Sequence, residues 1–144
     1  MIAVARPAAK TTLFLTDTGS HNRDISALLR SFVKDRKMVG IYVTVNKSSD
    51  SLNQQFGPAI SDKLLFIDMT EEKTEAKKTQ NCISLHPTGL TDLGIALETA
   101  VKSIEAEKMF IVIDSISALF AYNPPLHRDK ICAFRHKQDA LLGC

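Results

Sequence analysis

Four stretches of the chain, Thr12–Leu15, Val39–Val45, Leu64–Ile67 and Met109–Ile113, are apolar almost from end to end, and helical patterns stand between them. A strand that alternates apolar and polar residues can lie with one face in water. A strand that does not alternate needs cover on both faces, and that cover comes from helices in parallel α/β sheets. The pattern therefore predicts an α/β fold, a three-layer αβα arrangement around a mostly parallel sheet. The 144 residues suit a single domain spanning 1–144.

The helical signals are specific. Ile25, Leu28, Leu29, Phe32 and Val33 recur at the spacing of one helix face. Asn22 or Asp24 is placed to cap that helix, which should end near Lys37, with Gly40 shortly beyond. Ser48 to Phe56 opens with capping residues and is stopped by Gly57-Pro58. Leu93, Ala96, Leu97, Ala100, Val101 and Ile104 mark a longer helix over Thr91–Glu107, with Thr91 or Asp92 as cap. Cys82–Leu85 reads as a further short strand closed by His86-Pro87. Glu71–Gln80 reads as a solvated loop, and His127–Leu142 as a basic, partly buried helix after the break at Asn123-Pro124-Pro125.

Composition narrows the function classes. Hydrophobic residues make up 44% and charged residues 24%, which excludes a disordered tail, a fibre and a disulfide scaffold. A net charge of +2 gives no electrostatic case for nucleic acid or a membrane surface. Cys82, Cys132 and Cys144 form no CxxC and no zinc-like spacing, so they read as free thiols in a reducing compartment. Met109–Tyr122 contains Asp114 and is too short to span a bilayer. The N-terminus lacks the apolar run of a signal peptide, so the expected location is cytoplasmic. The histidines, His21, His86, His127 and His136, show no metal-binding spacing. Ser115 with His21 or His86 lacks the G-x-S-x-G turn that a hydrolase of this fold class uses.

In parallel sheets, ligands sit beyond the carboxyl ends of strands. Those ends carry Thr16–Asn22, Asn46-Lys47, Asp68 and Asp114-Ser115. A phosphate loop in the first of these positions uses free backbone amides at a helix start, glycines, a lysine and a Ser/Thr on magnesium. Here Gly19 is the only glycine, the nearest cation is Arg23, and no G-x-x-x-x-G-K-[ST] occurs.

Three segments nevertheless resemble the RecA/KaiC-like group of P-loop ATPases: Leu13–Phe32, Ile41–Phe56 and Met109–Phe120. The last is similar to that family's Walker B strand, four apolar residues followed by Asp-Ser. The resemblance implies that Gly19, Ser20, His21, Asn22, Arg23, Lys47, Asp114 and Ser115 surround the nucleotide position. Asp114 would be the metal ligand, with Asp68 or Asp17 as a second carboxylate. It also implies further strands after the Walker B segment. This sequence ends about thirty residues past Asp114, so a truncated or minimal sheet is expected, with an open edge for a partner chain.

The alignment puts Thr16 and His21 at glycine positions, Asn22 at the lysine and Arg23 at the magnesium-binding hydroxyl. Asn46 and Lys47 stand where the family carries glutamates. Phosphoryl transfer rests on placed charge and a positioned nucleophile. Losing one such group typically costs about 10² to 10³ in rate. The sequence therefore predicts a regulatory or partner-binding module without catalysis, needing no cofactor and binding a protein partner or forming a homo-oligomer. The alternative is an ATP-binding protein or weak ATPase, with Mg²⁺ and with Arg23 or Lys47 as the phosphate cation. A DNA-repair accessory role is a third reading, and salt-dependent nucleic-acid binding is its signature.

Overall fold

The computed structural model describes residues 2–4 (backbone only), 11–70 and 81–123. The expected loop over Glu71–Gln80, the expected C-terminal helix, Cys132 and Cys144 lie outside the described residues.

The expected α/β frame is present. β3 (Val39–Thr44), β4 (Leu64–Asp68), β5 (Cys82–Ser84) and β6 (Met109–Ile113) form one sheet in the order β5-β4-β3-β6. All its pairings are parallel. Side-chain alternation in β3 divides the core. Ile41, Val43 and Val45 face one side, where α4 (Leu90–Ser103) and α5 (Ile116–Tyr122) contribute Leu93, Leu97, Ala100 and Leu119. Tyr42 faces the other, with Phe66, Phe110, Leu29 of α1 (His21–Arg30), Leu52 of α2 (Ser49–Phe56) and Ile60 of α3 (Pro58–Ser61). Helices thus cover both faces, as an apolar parallel sheet requires.

Several local expectations are corrected. Leu13–Leu15 is a strand, β2, but it pairs antiparallel with β1 (Ile2–Val4) rather than joining the parallel sheet. Leu13 and Leu15 are 53% and 52% exposed, so it is not the buried strand its composition suggested. The first helix is regular only to Arg30 and continues as a π-helical turn over Ser31–Asp35, where the Arg36 amide bonds the Ser31 carbonyl. Lys37 then takes a left-handed conformation, φ 55°, the role glycine usually fills at a helix end.

Gly40 instead lies inside β3, beneath the Phe110 ring. A Cβ built there would sit 2.3 Å from Phe110 Cζ. The longer helix starts at Leu90 and ends at Ser103, earlier than its periodicity suggested, and its cap is Gly89 rather than Thr91 or Asp92. At Gly57, φ 74°, one left-handed residue ends α2 and turns the chain into α3, with Pro58 in the first turn. No helix among the described residues is long and apolar enough to cross a membrane.

Candidate functional site

The fold brings most of the sequence-predicted positions to one end of the sheet, and the loop before α1 decides their chemistry. Asp17 folds back on the start of the helix. Its carbonyl accepts the Ser20 amide at 3.3 Å and the His21 amide at 3.1 Å, and its Oδ1 accepts the Ser20 amide at 2.9 Å. These bonds, the Ser20 backbone amide first, hold the Asp17 carboxyl below the usual carboxylate range. Asp24, expected as a cap, lies within the first turn instead, and its Oδ2 accepts Thr16 Oγ1 at 2.7 Å. That bond leads in lowering its pKa. Asn22 likewise lies within α1, and Ser20 precedes the helix without a side-chain cap bond.

This loop is closed by its own side chains. In a phosphate cradle, free amides at the helix start point at the anion. Here the Ser20 and His21 amides are occupied, and two carboxylates, Asp17 and Asp24, stand where a phosphate would need positive potential. Gly19 offers a close backbone approach, but a Cβ there would lie 3.3 Å from Asp17 Oδ1, so the acid lines that approach.

Asp114 ends β6 and turns inward. Its Oδ2 lies 3.0 Å from Thr44 Oγ1 and its Oδ1 accepts the Val45 amide at 3.3 Å. It thereby ties the carboxyl ends of β6 and β3 together. Burial raises its pKa, against the pull of the Thr44 and Val45 bonds and of the His21 and Lys47 charges. Ser115 is the N-cap of α5, its Oγ accepting the Ala118 amide at 3.1 Å.

Asp68 is spent in the same way. Its Oδ2 accepts the Ser49 amide at 2.7 Å, anchoring the start of α2, and its Oδ1 accepts the Thr70 amide at 2.9 Å. The donor set therefore does not fit a divalent cation. Each expected carboxylate is committed to protein donors on separate segments. Among the described residues, no group of three or more His, Cys, Asp or Glu could hold a metal ion.

Lys47 is the remaining charged group at these strand ends. Its Nζ donates to Asn22 Oδ1 at 2.7 Å and to Gln55 Oε1 at 3.1 Å. Gln55 Nε2 in turn reaches Ser26 Oγ at 3.3 Å. This set joins α1 to α2 across the end of β3. Arg23 points away, 82% exposed, with only a 4.0 Å approach to Asp24. The structure thus gathers His21, Asn22, Lys47 and Asp114 and leaves Arg23 outside. Gln55 and Asp17 as a cap are the participants that sequence reading missed. Asp17 carried a signal, since an Asp followed by Thr-Gly-Ser favours side-chain-to-backbone turns.

Compared with known proteins, the chain matches no protein-family model, no curated protein and no solved structure.

Proposed function

We propose that the chain is a RecA/KaiC-like domain without ATPase chemistry, acting as a regulatory or partner-binding module. The observation that carries this reading is Asp17. Its carboxylate accepts the Ser20 amide and its backbone carbonyl the His21 amide, two of the donors at the helix start that a phosphate would use. The inward commitment of Asp114 to Thr44 and Val45 supports it, because the carboxylate that would hold magnesium joins two strands instead.

The frame around these positions is well packed, so what the fold offers is surface. One observation favours a second reading, ATP binding without turnover. The Lys47 ammonium rests on two neutral amide oxygens at the strand ends, a cation that a phosphate could meet. Phosphate release from Mg-ATP separates the module from an enzyme. The expected result is the rate of a protein-free control. A rate above control that disappears in Asp114→Asn overturns the reading.

A further inference from the structure

The Thr44 hydroxyl has more partners than its one hydrogen can serve. Its Oγ1 lies 2.6 Å from the Lys47 carbonyl oxygen, 3.0 Å from Asp114 Oδ2 and 3.4 Å from the Lys47 amide nitrogen. A hydroxyl carries one donor and two acceptor lone pairs, whereas a carbonyl and an ionised carboxylate only accept. The hydrogen goes to the Lys47 carbonyl, the shorter contact and one at the length of a strong O–H···O bond. An ionised Asp114 would then set a bare carboxylate oxygen against a hydroxyl lone pair.

We propose that Asp114 is held as the neutral acid, donating its own hydrogen to Thr44, and that its ionisation works a switch at the end of β3. In the neutral arrangement Asp114 Oδ2 donates to Thr44 Oγ1, Thr44 donates to the Lys47 carbonyl, and Oδ1 accepts the Val45 amide at 3.3 Å. The two carboxyl oxygens thus act as hydroxyl and carbonyl. The Thr44 oxygen takes the Asp114 hydrogen and the Lys47 amide and gives one bond, which uses its whole capacity. When Asp114 loses its proton to solvent, Thr44 turns its hydrogen to the carboxylate, and the Lys47 carbonyl is released.

The surroundings of Asp114 are consistent with this. Burial, the largest influence on the group, favours the neutral form. The facing charges that oppose it are His21, at the start of α1, and Lys47, on the turn after β3. Tyr42 on β3 also faces it, its hydroxyl kept neutral by burial and then by the Asp114 charge. On the α5 side, the Ser115 hydroxyl is occupied by the Ala118 amide. The pull of Thr44 toward the charged form belongs to the second arrangement, after its hydrogen has moved.

What the switch moves is a bridge on the surface. Lys47 Nζ donates to Asn22 Oδ1 at 2.7 Å and to Gln55 Oε1 at 3.1 Å, joining α1 to α2. The Thr44 bond pins the backbone of that same residue. Releasing its carbonyl loosens the turn that aims the ammonium. The α1–α2 bridge is therefore firm while Asp114 is neutral and slack once it ionises.

NMR of the full chain tests this, with the Asp114 carboxyl carbon and the Lys47 carbonyl carbon followed across pH. The expected Asp114 midpoint lies above 3.8. The Lys47 carbonyl and the Asn22 and Gln55 side-chain amides should shift with that same midpoint. Asp114→Asn, whose amide group donates to Thr44 as the neutral acid does, should hold the Lys47 carbonyl at its acidic wild-type position at every pH. Thr44→Ser keeps the hydroxyl and should keep the coupling. Thr44→Val, or Thr44→Ala where the valine variant does not fold, should abolish the Lys47 response while Asp114 still titrates.

An Asp114 midpoint at or below 3.8 overturns the inference, because the folded chain would then hold an ordinary carboxylate. A raised midpoint that Lys47 does not follow overturns it too, since burial alone would set the titration. So does a Lys47 response that survives loss of the Thr44 hydroxyl, or an Asp114→Asn chain whose Lys47 carbonyl sits at the alkaline wild-type position.

Discussion

Replacing Asp114 by alanine separates a structural carboxylate from one held ready for a metal. The structure gives the cost directly. Thr44 Oγ1 keeps an acceptor, the Lys47 carbonyl at 2.6 Å. The Val45 amide does not: its residue is 3% exposed and loses Asp114 Oδ1. Leaving a buried donor unpaired costs about 1–3 kcal/mol. With a urea slope of about 1–3 kcal/mol per molar for a small protein, the unfolding midpoint should fall by roughly 1 M.

The pH dependence has a definite sign. Burial raises the Asp114 pKa above the usual 3.8, so in the window above that value the folded state holds more protons than the unfolded one. Stability from this group therefore falls as pH climbs through the window and is fullest below it. The advantage of the wild type over Asp114→Ala should be larger in mildly acidic buffer than at neutral pH. Urea titrations at both pH values check this. A variant as stable as the wild type at neutral pH, or more stable, would refute the structural role and make Asp114 a ligand residue again.

Other perturbations follow from the same contacts. Gly40→Ala drives a methyl group into the Phe110 ring, which also packs on Phe32 with centroids 4.9 Å apart, and should destabilise by about 1–3 kcal/mol. Adding Phe110→Leu should recover part of that loss, and a strictly additive double mutant in urea would contradict the clash. Asp68→Ala removes the acceptor of the buried Ser49 amide and of Thr70, and should cost at least as much as Asp114→Ala. An unchanged melting temperature would show that α2 does not depend on it. The Cys82 thiol is pushed up by burial, with Ser49 Oγ 3.3 Å from its sulfur. Its alkylation at neutral pH should be slower than that of a free cysteine in a peptide, as peptide mass mapping would reveal.

How far the sequence could be read follows from the range of the forces involved. The strands β3, β4 and β6 were legible because burial on both faces leaves continuous apolar runs. The helix over Ser49–Phe56 was legible because its start and stop are encoded by Ser48 and by Gly57-Pro58. α5 was not, since Ile116–Tyr122 continues the apolar run of β6 and apolar continuity has no period to separate helix from strand. The place of β2 depends on which strand it pairs with, a tertiary choice that three residues do not encode.

At the candidate site, the departures from the lysine and glutamate of the family the chain resembles were read directly from Asn22, Asn46 and Lys47. The use of Asp17 as an internal cap was not, because it depends on the loop's backbone conformation. Ser115, a resemblance-derived site residue, has its hydroxyl in the first turn of the next helix, a use that its position in the sequence did not announce.

The central claim is that protein groups already fill the phosphate position, and thermal melting of the purified chain with and without millimolar Mg-ATP tests it most directly. A ligand present at about 100 times its Kd adds roughly 2.7 kcal/mol, which moves the Tm of a domain this size by several degrees. The account predicts no shift for the wild type. A shift of several degrees that is lost on Lys47→Met would contradict it and establish a nucleotide site at the ends of β3 and β6.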